Sequence, residues 1–143
     1  MEKRIRAAAI IFVNDKLITI YRGKIVDGIL KKYYVIPGGG VEEKEEILEA
    51  VKREVLEELG IEIEVTNKYF YLEKENAKEY FYISNYLSGE IGTGPGPEFT
   101  NRDIQKYGSY EVRLVQKDDI ANINLLPPEV KEYILNMVEK NKV

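Results

Sequence analysis

The segment from Glu42 to Leu59 is crowded with glutamate, yet Ile47, Leu48, Val51, Val55 and Leu59 recur along it at helical spacing, and Gly60 follows as a stop. A helix with one apolar stripe needs an apolar surface to cover. The flanking segments supply it as strands. Ala7 to Val13 and Leu17 to Tyr21 are rich in β-branched residues, and Asn14-Asp15-Lys16 between them provides a hairpin turn. Arg22 to Lys32 reads as a polar loop, and Tyr33 to Ile36 as a short strand stopped by Pro37-Gly38-Gly39-Gly40. Beyond the helix, Ile61 to Leu72 and Glu79 to Leu87 read as paired strands, and Gly89 to Pro97 as a loop. Tyr110 to Val115 follows as a strand, Asp118 to Ile120 as a helical turn, and Pro128 to Lys140 as a closing helix. Strands, a central helix, further strands and a last helix specify an α/β fold with helices on the faces of a mixed β-sheet, a single domain over residues 1–143.

The glutamates are not spread evenly around the central helix. At roughly 100° per residue, Ile47 at zero, Val51 at ~40°, Val55 at ~80° and Leu59 at ~120° mark the apolar stripe. Glu58 falls at ~20°, inside the apolar sector, Glu54 at about −20° on its edge, and Glu57 at about −80°. Composition alone favours a solvated face that serves solubility. Position argues otherwise, because Glu54 and Glu58 form an i,i+4 like-charge pair and Glu54 and Glu57 an i,i+3 pair. Ionised carboxylates at a core border are costly unless something neutralises them. A hard divalent cation does so, and Arg53 beside them is a second source of positive charge. The cation is the favoured reading. Pro37-Gly38-Gly39-Gly40 adds a loop that lets backbone approach a ligand, though such a turn alone says little.

The rest of the composition narrows the chemistry. There is no histidine and no cysteine, so the commonest general base, thiolate ligands, disulfides and cysteine nucleophiles are excluded together. A net charge of −4 argues against a partner held through nucleic-acid phosphates but leaves room for a small phosphate ligand. Ala7 to Val13 is too short to span a bilayer, and no small-residue cleavage site follows Arg4 and Arg6, so the chain reads as cytoplasmic, without membrane partners.

From Gly39 the sequence runs GGVEEKEEILEAVKREVLEELGI: Gly39, five residues, Glu45, seven residues, then Arg53-Glu54-Val55-Leu56-Glu57-Glu58-Leu59-Gly60-Ile61. This resembles the 23-residue Nudix box at every defined position. The opening hairpin, the strand running into Pro-Gly-Gly, and Leu126-Pro127-Pro128-Glu129 are similar to the same family more loosely. The resemblance, to MutT-like Nudix hydrolases, implies the Nudix fold, an α/β/α sandwich around a mixed sheet. It implies a Mg²⁺-dependent pyrophosphohydrolase, with Mn²⁺ as a substitute, that cuts a phosphoanhydride bond in a nucleoside diphosphate linked to another group. Glu54, Glu57 and Glu58 resemble the metal-binding and catalytic carboxylates, one of them, Glu54 foremost, the general base. Arg53 is similar to the arginine that orients them, and Glu45 to the acid that supports loop and helix. The Gly38 carbonyl resembles a metal ligand, and Glu98 is the choice for a carboxylate that members add from a later loop, although it is as readily an ordinary loop glutamate. Gly39 and Arg22 match positions that touch substrate, although Arg22 is as readily a solvated strand-end residue; Lys31 and Lys32 are better read as solvated.

Substrate is less legible. The small, uninserted chain leans towards nucleoside triphosphates. Sugar-nucleotide members carry a proline where Asn76 and Ala77 stand, dinucleoside polyphosphate members a tyrosine to which Tyr80 and Tyr82 are misplaced, and the coenzyme A signature is absent from Leu17 to Ile36. MutT-like recognition of guanine uses an asparagine after the Pro-Pro pair, where Val130 stands; Asn122 or Asn124 are the replacements at hand. A dinucleoside polyphosphate or nucleotide-sugar pyrophosphatase and a non-catalytic nucleotide-binding domain are the alternatives, the second disfavoured by the complete set of Arg53, Glu54, Glu57 and Glu58. A homodimer is compatible with the family.

Overall fold

The computed structural model describes residues 3–92 and 109–140. In chain order these form β1 (Arg4–Val13), β2 (Lys16–Val26), β3 (Ile29–Val35), β4 (Gly38–Gly40), α1 (Ile47–Leu59), β5 (Ile61–Glu73) and β6 (Ala77–Gly89). After the undescribed segment come β7 (Ser109–Gln116), a 3-10 turn (Lys117–Asn122), β8 (Leu125–Leu126) and α2 (Pro128–Glu139). The described strands join in the order β5-β6-β1-β2-β3-β8, with β4 added on β1 and β7 on β2. The β1–β6 and β3–β8 pairs are parallel and the others antiparallel, so the sheet is mixed.

Strand β1 is central, which explains its unbroken apolar run: a strand covered on both faces has no polar face to alternate with. Ala7, Ala9 and Ile11 join Ile18, Ile20 and the α1 residues Val51, Val55 and Leu59 in one core. Ala8 and Ile10 join Leu17, Phe81 and the α2 residues Val130 and Ile134 in the other. Each such buried side chain contributes ~1.5–3 kcal/mol of transfer free energy. One helix per face makes the expected α/β/α sandwich. Small side chains at Ala7, Ala8 and Ala9 keep the centre of β1 low, and β4 lies directly beside it, with Ala8 opposite Gly38 and Ala7 opposite Gly39.

Three expectations change. Pro37-Gly38-Gly39-Gly40, expected as a loop that stops the preceding strand, continues as the strand β4 over Gly38–Gly40, paired with β1. Arg22 to Lys32 is not a loop but the outer half of a hairpin, in which β2 and β3 pair from Ile20↔Val35 out to Val26↔Ile29. Asp27 and Gly28 make its turn with φ of 53° and 78°, the left-handed pair that an Asp-Gly turn supplies. The ribbon runs beyond the core, so even its apolar residues Ile25, Val26, Ile29 and Leu30 are exposed. The central helix also starts later, at Ile47 rather than Glu42. The Glu45 carboxylate accepts the Glu42 N–H at 2.9 Å, and Lys44 takes a φ of 67°, so residues 42–46 form a turn that competes with helix. At the other end Gly60 closes α1 as expected, at φ 77°, its N–H donating to the Leu56 carbonyl.

Candidate active site

The Glu42–Glu46 turn and the first half of α1 are tied together by one side chain. Arg53 donates from Nε to Glu45 Oε2 at 2.8 Å and from Nη2 to Glu45 Oε1 at 3.0 Å, a two-pronged pair that a planar guanidinium fits and an ammonium does not. Its Nη2 also reaches the Gly40 carbonyl at 3.1 Å, and Nη1 reaches Glu54 Oε1 at 2.9 Å and Glu57 Oε2 at 3.3 Å. The Arg53 hydrogen bonds, and then the Glu42 amide, pull the Glu45 carboxyl down to a pKa of about 2. In return Glu45 first, then Glu54, holds the guanidinium more firmly protonated than an ordinary arginine. Arg53 thus ties the middle of α1 to the Glu42–Glu46 turn through Glu45 and to β4 through the Gly40 carbonyl.

Glu58 behaves as the helical wheel predicts. It is 3% exposed, and its Oε1 accepts the Gly38 N–H at 2.8 Å while the Tyr110 hydroxyl donates to Oε2. Tyr110 lies on β7 opposite Arg22 on β2, and the Arg22 guanidinium stands 5.0 Å from the centre of its ring. Arg22 is therefore brought to the site through the aromatic ring. Nothing in the sequence marks Tyr110 as part of the site, because its place depends on the β2–β7 register. Lys31 and Lys32 are exposed on the hairpin ribbon.

Glu54 sits over Gly39. A Cβ on Gly39 would fall 2.4–2.6 Å from the atoms of the Glu54 carboxylate, so the carboxylate occupies space that only glycine leaves. Gly38 is confined on the other side: its Cβ would meet the Ala7 carbonyl oxygen and the Ala8 Cβ, both at 2.5 Å. The Gly38 carbonyl faces Arg6, whose Nη2 is 3.5 Å away. β4 and α1 thus gather Gly38, Gly39, Glu54 and Glu58 in one place, with Glu57 joined to them through Arg53. Glu98 lies outside the described residues.

Among the described residues no three acidic side chains converge on one point. Arg53 Nη1 stands between Glu54 and Glu57, and Glu58 is turned to Gly38 and Tyr110. In kind, the donors still fit a hard divalent cation: carboxylate and carbonyl oxygens only, with the Glu54 carboxylate close against a backbone that leaves it room.

Residues 3–133 match the model of the NUDIX domain. The chain belongs to the NUDIX family. The MutT-like resemblance of the box therefore holds. Over 81 residues the chain is 35% identical to an 8-oxo-dGTP diphosphatase of Buchnera aphidicola subsp. Acyrthosiphon pisum, an alignment covering 54% of this chain and 62% of that relative's length. A MutT protein from Methanosarcina mazei Go1 superposes with a TM-score of 0.67 at 20% identity, covering 100% of this chain and 99% of that one. A NUDIX hydrolase from Nitrosomonas europaea does so with a TM-score of 0.71 at 17% identity, covering 97% and 74%. Both share the fold with this chain. Among the described residues no helix is long and apolar enough to cross a membrane.

Proposed function

We propose that this protein hydrolyses a nucleoside triphosphate to the monophosphate and pyrophosphate, using Mg²⁺ or Mn²⁺. The observation that carries the reading is Glu58: a carboxylate 3% exposed, fixed by the Gly38 amide and the Tyr110 hydroxyl at the border of the core, on the same helix as Glu54 and Glu57. Similarity to an 8-oxo-dGTP diphosphatase supports a triphosphate substrate.

Glu54, Glu57, Glu58 and the Gly38 carbonyl would hold the cation, with Glu98 as the further carboxylate. When bound, such a cation polarises phosphoryl oxygens and makes water a stronger nucleophile. The chain supplies the rest. A box glutamate, Glu54 foremost, takes a proton from the attacking water as its oxygen bonds to phosphorus; the P–O–P bridge breaks and pyrophosphate leaves with the bridging electron pair. Arg53 orients the glutamates through the contacts described, and Gly39 and Arg22 flank the substrate.

The test is turnover of a panel of nucleoside triphosphates, dinucleoside polyphosphates and nucleotide sugars, with Mg²⁺ and with EDTA, by wild type and by Glu57→Gln and Glu58→Gln. Triphosphate turnover abolished by EDTA and by either substitution is expected. Full activity in both variants refutes the assigned site, and turnover of another class alone refutes the substrate. Nucleotide binding without any turnover points to a regulatory domain.

A further inference from the structure

Glu58 is held from two sides by groups that carry no charge. The Gly38 N–H donates to its Oε1 at 2.8 Å, and the Tyr110 hydroxyl donates to its Oε2. Glu54 and Glu57 are held differently, by the Arg53 cation at 2.9 and 3.3 Å. A carboxylate offers about four lone-pair positions on its two oxygens. One neutral donor on each oxygen fixes the plane of the Glu58 carboxylate, and leaves its charge and further lone pairs in place for a cation. With the Gly38 amide alone the group would pivot about that contact; the Tyr110 hydroxyl removes the pivot. The Glu57 side chain, by contrast, is 39% exposed and has room to turn.

The β2–β7 ladder places Tyr110 for that task. Val112 stands opposite Ile20, and both belong to the packing around the α1 core, so Tyr110, two residues along the strand, points to the same face. Its ring packs against that core while its hydroxyl meets the carboxylate at the border. Arg22, opposite it on β2, stands 5.0 Å from the ring centre, and a cation over the face of a phenol is attracted to it and steadies the ring. We propose that Tyr110 is a positioning residue that fixes Glu58 as the preformed ligand of the cation site, a role that rests on the reading of Glu58 as a metal ligand. Groups that orient a ligand from behind commonly matter by about 10- to 100-fold in metal affinity or activity.

Tyr110→Phe removes the hydroxyl and keeps the ring, so the packing against α1 and the Arg22 contact stay. Mn²⁺ binding to the nucleotide-free protein is followed by electron paramagnetic resonance for wild type, Tyr110→Phe and Glu58→Gln, beside thermal melts and steady-state kinetics. Tyr110→Phe is expected to weaken Mn²⁺ binding about 10- to 100-fold, and to lower kcat more than it raises KM. A lower melting temperature follows from the lost hydrogen bond whether or not Tyr110 positions a ligand, so Mn²⁺ affinity is the deciding readout. If Tyr110→Phe binds Mn²⁺ within about threefold of wild type while Glu58→Gln loses it, the positioning role is overturned and the metal site stands. A wild type that binds no Mn²⁺, or a Glu58→Gln variant that binds it unchanged, overturns both. Should Tyr110→Phe fold poorly, Tyr110→Gln, which keeps a donor, is compared with Tyr110→Leu, which has none; equal Mn²⁺ affinity in the two overturns the role.

Discussion

Gly39→Ala tests the geometry of the candidate site most sharply, because the three atoms nearest the added Cβ all belong to the Glu54 carboxylate. The new Cβ would lie 2.4 Å from Cδ of Glu54 and 2.5–2.6 Å from its oxygens. Ordinary contact begins near 3.4 Å, so the carboxylate must retreat by about 1 Å. Glu54 is the far end of a flexible side chain and can turn away at little cost, so the melting temperature should fall by no more than about 3 °C, under ~1 kcal/mol for a chain of this size. A displacement of about 1 Å at a reacting group costs roughly 100-fold in rate. Gly38→Ala makes the converse case. Its Cβ would strike the Ala7 carbonyl and the Ala8 Cβ at 2.5 Å, and neither can move without lifting β4 from β1. Overpacking of that kind costs ~1–3 kcal/mol, or roughly 4–12 °C. The assay is kcat on the accepted triphosphate alongside thermal melts of all three proteins. Gly39→Ala with kcat within about threefold of wild type would refute the placement of Glu54 against β4 as a catalytic contact.

Two further perturbations follow from the Arg53–Glu45 pair. Since the folded pKa of Glu45 is depressed from 4.5 to about 2, its contribution to stability is complete above pH 4.5 and vanishes as pH falls through about 2. Glu45→Gln should therefore melt below wild type at pH 7, with the gap closing between pH 4.5 and 2; a gap constant over that range sinks the assignment. Arg53→Lys keeps the charge but cannot span Glu45, Glu54, Glu57 and the Gly40 carbonyl at once. It should cost about 1–3 kcal/mol and lower kcat more than it raises KM, which steady-state kinetics and melting together check.

What was legible in the sequence was whatever a local period or a fixed spacing encodes. The burial of Glu58 followed from a helical wheel, and the end of α1 from Gly60. The start of α1 was not legible, because residues 42–46 have helix-compatible composition and are held out of helix by the Glu45 side chain, itself held by Arg53 eight residues on. The β2–β3 ribbon was missed for a different reason. Its Asp27-Gly28 turn is a local signal, but the flanking Ile25, Val26, Ile29 and Leu30 are apolar in adjacent pairs and exposed, so the strands lack the alternation that a single buried face imposes. Tyr110 was hidden more deeply. It owes its place, opposite Arg22, to register between strands distant in sequence.

Strand β4 explains why three glycines stand in succession there. Its neighbours approach from alternate faces of the sheet. Towards α1, Gly39 leaves room for the Glu54 carboxylate, and the Gly38 amide fixes Glu58. Towards α2, a Cβ on Gly40 would lie 3.1 Å from the Arg4 guanidinium, and the Gly38 carbonyl meets Arg6, which also touches Glu79. Side chains on this strand would push the Glu54 carboxylate off one face and, at Gly38, strike Ala7 and Ala8 of β1. Three residues without side chains therefore let the helix that carries the glutamates and the Arg6–Glu79 pair share one backbone, and the distance between them is set by the width of β4 and β1 rather than by any flexible loop.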